Sequence, residues 1–364
     1  MTKMKKKFKW WLIPLCVAGV PVIAFGIYVA VIFARYYRIE DNVPLISTGR
    51  AESKAKTGEE YTAVTYNIGF GAYTPDYSFF MDGGKYSRAF SKESVIECTE
   101  GVAQTAFSFD PDIVLFQEVD TDADRSYHVD QVPLIMETFS SSEYDEVFAV
   151  NYHSDYLFYP FHEPIGASDS GIFTLSRFDV TSAVRRSLPI AAGPKKIVDL
   201  DRCYSVTRCP VENGRELVII NTHLSAYGTD QANGNAQLQM IFDDMAAEYE
   251  KGNYVICGGD FNHDFTGDSR EKLNPGTDRI YSWCQPFPES MLPEGFAMCR
   301  DYEGELIGTT RYADIPYDPA ASFTVTIDGF IVSDNIRCGK VKILDNGYIY
   351  SDHLPVIMTF ELEE

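Results

Sequence analysis

After residue 60 the chain alternates between short runs rich in β-branched and aromatic residues and stretches with helical spacing. The runs predict strands, because Val, Ile, Thr, Tyr and Phe pack well on a pleated sheet. Helices are predicted over 231–250, where apolar residues recur at helical spacing, and from about Ser91, a residue type that caps a first helical turn. Strands and helices mixed in this way predict an α/β sandwich with mixed sheets. The predicted strands read YTAVTYNI, DIVLFQEV, SGIFTLSRF, RCYSVTRCPV, ELVIINTHL, NYVICGGDF, TIDGFIVS and LPVIMTFEL.

Several of these strands end in, or lead into, polar side chains that a sheet does not need. Taken singly, each such residue is more often an ordinary turn former, cap or core residue. If the loops at one edge of two sheets converge, the same residues become neighbours in a single cleft. The positions are Asn67, Glu118, His223, Asp260, Asn262, Asp328, Asp352 and His353.

Three of these positions have the chemistry of a magnesium site. Glu118 and Asp352 offer hard carboxylate oxygens, and Asn67 offers an amide oxygen. Mg²⁺ prefers one or two carboxylates together with water and substrate phosphate, with Mn²⁺ as an alternative. No thiolate cluster accompanies the histidines, which argues against a structural zinc site.

The other positions have the chemistry of phosphoester cleavage by water. We expect Asp260 to orient or deprotonate the water and Asn262 to donate to that water or to a phosphoryl oxygen. His353 is expected to supply a positive or proton-donating contact, with Asp328 fixing its tautomer. His223 is a further candidate for phosphate contact or protonation of the leaving group.

The ordered motifs TYNIGFG, DIVLFQEVD, SGIFTLSRF, INTHLSAYG, GGDFNHD, TIDGFIVS and SDHLPV closely resemble the endonuclease/exonuclease/phosphatase superfamily. The resemblance covers residues 61–362 and implies a four-layer α/β sandwich, two mixed sheets with helices outside and the active site at one end. It also implies the same assignment of roles. Metal binding falls to Asn67, Glu118 and Asp352, and catalysis to Asp260, Asn262, His353 and Asp328, with His223 matching the deoxyribonuclease and sphingomyelinase branches. His263 has no counterpart there, so we expect it on the surface.

The segment Trp10 to Ala34 contains no charged residue and lies between a lysine-rich start and Arg35. As a helix its 25 residues would extend about 37 Å, enough to span a hydrocarbon core of ~30 Å. We expect an uncleaved anchor at 10–34 with a basic cytoplasmic tail at 1–9, a linker at 35–60 and a catalytic domain at 61–364 outside the cell. A cleaved signal peptide is the alternative, although the apolar run is long for one.

The charge of the chain bears on the substrate. Residues 1–38 hold seven of the 31 basic residues and none of the 53 acidic ones, so the rest carries a net charge of −29. Such a surface disfavours long nucleic acid, because phosphate backbones are usually gripped by basic side chains. Tethering favours a phospholipid headgroup or a small phosphodiester, and an extracellular nuclease is the alternative.

Two further features refine this hypothesis. Arg202 is a candidate phosphate clamp, with a structural salt bridge as the alternative. The aromatic segment 152–164 is expected to face the membrane or cover the substrate, or else to cover the core. A non-catalytic surface module on the same fold is the alternative of another class, but the intact polar set favours the hydrolase.

Overall fold

The computed structural model describes residues 12–49, 51–139, 144–190, 201–226, 231–277 and 283–364. The chain divides into two compact units, Met1–Arg38 and Ile39–Glu364. The first unit contains helix α1 (Leu12–Arg35), and within the described ranges its stretch Val17–Arg35 alone is long and apolar enough to cross a membrane. A membrane anchor and a signal sequence both fit this helix. The basic tail predicted at 1–9 lies outside the described residues.

The second unit carries the other helices and all the described strands. The helices are α2 (Lys92–Phe107), α3 (Gln131–Phe139), α4 (Gln231–Glu250) and α5 (Ser269–Leu273). The strands are β1 (Val43–Leu45), β2 (Ser47–Gly49), β3 (Glu60–Asn67), β4 (Ile113–Ala123), β5 (Asp145–Leu157), β6 (Gly166–Ser176), β7 (Ser182–Ser187), β8 (Cys203–Pro210), β9 (Glu216–His223), β10 (Tyr254–Asp260), β11 (His263–Asp264), β12 (Gln285–Pro286), β13 (Phe296–Met298), β14 (Thr310–Arg311), β15 (Thr324–Val325), β16 (Asp328–Ser333), β17 (Ile336–Ile343) and β18 (Val356–Leu362).

Two sheets of seven strands form the centre of this unit. The first sheet has the order β1-β7-β8-β9-β10-β16-β13, and the second has the order β17-β18-β3-β4-β6-β5-β2. Each is mixed, because β9 and β10 are parallel in the first and β3 and β4 in the second, among antiparallel neighbours. A parallel pair ends at one edge, so its final residues lie side by side.

Three buried apolar clusters show the layering. One lies between the sheets and combines residues of the second sheet such as Leu115 with residues of the first such as Ile219 and Ile256. Another joins Leu238 and Phe242 of α4 to the outer face of the first sheet. A third joins α2 and α3 to the outer face of the second. The predicted four-layer sandwich is therefore confirmed.

The helices predicted from the sequence are present, and the α2 cap is as expected. The side chain of Ser91 accepts a hydrogen bond from the Ser94 amide at 3.2 Å. The prediction of a linker at 35–60, in contrast, is wrong for residues 43–49. These residues form β1 and β2, which pair with the edge strands β7 and β5 and so extend both sheets. Strands of three residues are too short to show the alternation by which longer strands are recognised.

His263 differs from expectation, and the aromatic segment 152–164 is buried at its start and exposed further along. His263 is buried rather than on the surface, with its ring against Phe287. Burial lowers the pKa of His263 to about 4, so the ring is neutral at pH 7. In the segment 152–164, Tyr152 is buried in β5, which extends to Leu157, and the aromatic side chains of Phe158, Tyr159 and Phe161 that follow are exposed.

Candidate active site

The first sheet brings three of the predicted residues to adjacent positions at one edge. Asp260 ends β10 and pairs with His223, the last residue of the parallel strand β9. On its other side Asp260 pairs with Asp328, the first residue of β16. All three side chains are buried. Nε2 of His223 lies 3.4 Å from Oδ2 of Asp260.

The second sheet faces this edge with Asn67 and Glu118. Asn67 ends β3, and its amide Nδ2 donates to Oδ2 of Asp260 at 3.0 Å, which links the two sheets. Glu118 lies in a bulge of β4 between Phe116 and Val119, with a backbone φ of 57°. A bulge re-aims a side chain, and Oε1 of Glu118 lies 3.9 Å from Nε2 of His223.

The loop before β18 supplies Asp352 and His353. Ser351 anchors the loop by donating to the Asn67 carbonyl at 2.8 Å. Gly69, at φ 53°, passes so close that a Cβ there would lie 2.8 Å from Oδ1 of Asp352. Glycine at this turn therefore leaves room for the Asp352 carboxylate beside the end of β3.

His353 and Asp328 form a hydrogen-bonded pair, with Nδ1 of His353 2.9 Å from Oδ2 of Asp328. Burial lowers the pKa of His353, but the charge and hydrogen bond of Asp328, followed by the charges of Asp352 and Asp260, outweigh it. The resulting pKa is about 10. His353 is therefore an imidazolium at neutral pH, and its Nε2 lies 3.8 Å from Oδ2 of Asp260.

Asp260 has the properties of a proton acceptor near neutral pH. Burial is the main cause that raises its pKa to about 7, and the Asp328 charge raises it further, whereas His353 lowers it. The backbone N–H of Asn262 donates to Oδ1 of Asp260 at 2.9 Å. The Asn262 side chain donates one amide hydrogen to the carbonyl of Leu224 at 2.8 Å, which leaves a second amide hydrogen.

Neutral imidazole is favoured at His223. Burial is the main reason that the pKa of His223 lies well below 6.5, and the charges of Arg202, His353 and Arg125 lower it further. Nδ1 of His223 is buried without a hydrogen bond among the described residues. The charge of Arg202 acts on His223, and Arg202 itself is buried.

The donor set of Asn67, Glu118 and Asp352 fits a divalent cation. Burial raises the pKa of Asp352 to about 6; the His353 charge lowers it and the Glu118 charge raises it. Two carboxylates that repel each other beside an amide oxygen match the oxygen ligands that Mg²⁺ takes. Asp260, Asp328 and His353 also offer ligand atoms within 4.8 Å of one another. In the metal-free protein His353 carries a proton, which a cation bound by this trio would displace.

Arg125 is a site residue that the sequence did not reveal. Its guanidinium makes two hydrogen bonds to the buried Asp120, at 3.0 and 2.7 Å, and its carbon lies 4.0 Å from the centre of the Phe70 ring. Its remaining nitrogen, Nη1, lies 3.9 Å from Oε2 of Glu118. The only local signal in the sequence is that Arg125 lies seven positions after Glu118, near the end of a predicted strand.

Comparison with known proteins bears on the family and the fold of the chain. The model of the "Endonuclease/Exonuclease/phosphatase family" matches residues 64–353. No curated protein matches the chain. Among solved structures, an endonuclease/exonuclease/phosphatase from Beutenbergia cavernae DSM 12333 aligns with a TM-score of 0.58 and 18% identity over 84% of this chain and 72% of that chain. A family protein from Bacteroides thetaiotaomicron aligns with a TM-score of 0.53 and 19% identity over 84% and 99%. ANGEL2, a 2′,3′-cyclic phosphatase, aligns with a TM-score of 0.50 and 16% identity over 88% and 99%.

Proposed function

The chain belongs to the Endonuclease/Exonuclease/phosphatase family, and from that premise we propose a membrane-anchored, Mg²⁺-dependent hydrolase that acts on a phospholipid headgroup or another small phosphodiester. The observation that carries the reaction is the position of Asp260. Its Oδ2 is held by Asn67 at 3.0 Å and faces His223 at 3.4 Å and His353 at 3.8 Å. A carboxylate fixed in this way can accept a proton from water without losing its orientation.

The protonation states of Asp260 and His353 support an attack of water on phosphorus. With a pKa of about 7, Asp260 is substantially ionised at neutral pH and can take the proton of the attacking water. His353, held by Asp328, stays protonated and can donate from Nε2 to a phosphoryl oxygen that gains charge. Contacts of His223 and of the second side-chain amide hydrogen of Asn262 with the water or the phosphate are part of the proposal, supported by the position of His223 3.4 Å from Asp260 and by the single bond of Asn262 to Leu224.

The proposed metal ligands are Asn67, Glu118 and Asp352. A bound Mg²⁺ supplies charge stabilisation for the phosphoryl group without a proton transfer. Glu118 and Asp352 repel each other in its absence, and the bulge in β4 fixes the direction of Glu118. Arg202 is proposed as a further phosphate contact, since its charge acts on His223.

The proposed location rests on α1 and on charge. An anchor at 10–34 with the lysine-rich start in the cytoplasm gives a single-pass protein of the cell membrane with its catalytic domain outside. The net charge of −29 after residue 38 opposes binding to long nucleic acid and leaves small or membrane-held phosphodiesters as the favoured substrates.

The test is a substrate panel assayed with the full chain in detergent. Sphingomyelin, phosphoinositides, plasmid DNA and an aryl phosphodiester are each incubated with and without Mg²⁺, using the unsubstituted chain and Asp260→Ala. Asp243→Ala, on the exposed face of α4, is the matched control. We expect Mg²⁺-dependent hydrolysis of a phospholipid or of the aryl diester that Asp260→Ala lowers roughly 100-fold or more.

Two results would change the proposal. Absence of Mg²⁺-dependent and Asp260-dependent hydrolysis of every substrate would favour the non-catalytic surface module. Plasmid DNA as the fastest substrate would favour the extracellular nuclease and would contradict the charge argument.

A further inference from the structure

The chain enters the domain at the same edge as the candidate active site. The carbonyl of Ile39 accepts a hydrogen bond from the Ser187 side chain at 2.8 Å. Ser187 ends β7 and pairs with Cys203, the first residue of β8. Because β8 is antiparallel to β9, Cys203 lies at the edge where β9 ends in His223. Only residues 36–38 separate Ile39 from the last residue of α1.

A group of exposed apolar side chains projects from the same end of the second sheet. Antiparallel pairing places the end of β5 and the start of β6 at the end of β4 that lies beyond Glu118. The end of β5, the connection between β5 and β6 and the short helix Phe80–Asp82 carry large side chains that face solvent; Tyr159 is 64% exposed, Met81 70% and Phe161 81%. We call this group, together with the half-buried Phe80, the aromatic rim; its residues are Phe80, Met81, Tyr156, Phe158, Tyr159 and Phe161.

Ring contacts join the aromatic side chains of the rim into two groups, which meet along the chain at Phe158 and Tyr159. The rings of Phe80 and Tyr159 lie 5.9 Å apart, and the rings of Tyr159 and Phe161 also lie 5.9 Å apart. The rings of Tyr156 and Phe158 lie 4.9 Å apart. Contiguous exposed apolar groups of this kind mark interaction surfaces, whereas single exposed apolar residues do not.

Fixed contacts connect the rim to the active site. Arg88 donates to the Pro164 carbonyl at 2.6 Å and lies 3.9 Å from the Asp124 carboxylate. Asp124 also accepts from the Ala167 amide at 2.7 Å, just after the connection that carries the rim. The next residue, Arg125, faces Glu118 at 3.9 Å. The rim therefore borders the site and is held in register with it.

We propose that the active-site end of the domain docks on the lipid bilayer, with the aromatic rim inserted at the headgroup boundary. Tyr and Phe are favoured there because one part of the surface is apolar and the other wet. Only residues 36–38 separate Ile39 from α1, so a membrane anchor in α1 would tether the domain by this edge. This inference rests on the proposed function for the membrane anchor in α1 and for its consequence, which is that the site takes a phosphodiester from a lipid headgroup in the bilayer.

Charge indicates which bilayer the rim would favour. With a net charge of −29 after residue 38, the domain is repelled by anionic lipid. Docking through apolar side chains suits a zwitterionic surface such as phosphatidylcholine, which the test uses.

The test measures how deeply the aromatic rim inserts into the bilayer, and this measurement does not depend on hydrolysis of a substrate. The full chain carrying Phe161→Trp is reconstituted in phosphatidylcholine vesicles with and without lipids brominated on the acyl chain. Ile46→Trp is the matched control, since Ile46 is also 81% exposed but joins β1 to β2 at the sides of the sheets. The unsubstituted chain gives the background of Trp10, Trp11 and Trp283, and Tyr159→Trp gives a second reporter in the rim.

We expect brominated lipid to remove about half or more of the fluorescence that either rim tryptophan adds, and less than about a tenth of that added at position 46. Equal quenching at the rim and at position 46 would overturn the docking. Aryl phosphodiester hydrolysis is measured on the same vesicles. Hydrolysis without rim quenching refutes the docking alone, and rim quenching without hydrolysis of any panel substrate supports the docking and refutes the proposed enzyme.

Discussion

Nδ1 of His353 lies 2.9 Å from Oδ2 of Asp328, and this contact crosses from the loop before β18 in the second sheet to the first residue of β16 in the first. Asp328 is wholly inside the protein, so its charge is compensated mainly by His353. A buried carboxylate paired in this way fixes both the tautomer and the charge of the imidazole. The pair therefore connects sheet packing to proton chemistry.

Replacing Asp328 by Asn is expected to change the alkaline limit of activity. In the unsubstituted chain the imidazolium of His353 persists until pH approaches its pKa of about 10, so activity that needs it falls only above that pH. Asp328→Asn removes the largest influence that raises this pKa, while burial continues to lower it. We expect the alkaline limb of kcat/KM to move to neutral pH or below, with kcat at pH 8 lowered roughly 100-fold. An unmoved limb in pH profiles of the variant would show that His353 is not the group that must be protonated.

Metal binding is expected to stabilise the protein through Glu118 and Asp352. A ligand at 100 times its dissociation constant stabilises the folded state by about 2.7 kcal/mol. We expect Mg²⁺ to raise the Tm by several degrees, and Glu118→Gln to abolish most of the rise. Glu97→Gln, on the exposed face of α2, removes one negative charge away from the site and should keep the full rise. Equal rises in calorimetric scans of both variants would argue against Glu118 as a ligand.

Arg125 and Asp120 are expected to depend on each other for stability. Both side chains are buried, and Ser126 also donates to Asp120 at 2.8 Å. Arg125→Met leaves the Asp120 charge unpaired, which should cost about 3–5 kcal/mol in urea unfolding. The double variant Arg125→Met/Asp120→Asn removes both charges and should regain a large part of that loss. Additive losses in the double-mutant cycle would mean that the two residues do not act as a pair.

The sequence predicted the residues that follow recognisable strands. Asn67, His223 and Asp260 each end a long apolar run, and the sheet register then places His223 and Asp260 side by side. The convergence of His223 and Asp260 required only that the parallel strands β9 and β10 end at one edge of the sheet. The alternation of strands and helices predicted an α/β sandwich with mixed sheets, and the family resemblance implied its four layers.

Residues whose role depends on turns and edges were not predicted. Arg125 reaches Glu118 only because β4 bulges and the following short turn folds back onto Asp120. His263 follows the polar end of β10 and looks like a surface residue, yet the packing of Phe287 covers it. The strands β1 and β2 have three residues each, too few for a period to show.

The backbone of Glu118 provides a test of strain at the site. Its φ of 57° is a conformation that a residue with a Cβ adopts at a cost, and glycine does not bear that cost. Within an ordinary strand glycine is less stable than alanine by about 0.5–1 kcal/mol. Here we expect the reverse order, with Glu118→Gly more stable than Glu118→Ala by about 1 kcal/mol in metal-free urea unfolding. Both variants lose the carboxylate, so both should lose Mg²⁺-dependent hydrolysis and the difference between them reports the backbone alone. If the Glu118→Ala variant is as stable as the Glu118→Gly variant, or more stable, then the β4 bulge relaxes once the carboxylate is gone. The backbone strain would then come from holding the Glu118 side chain in its position and not from the strand itself.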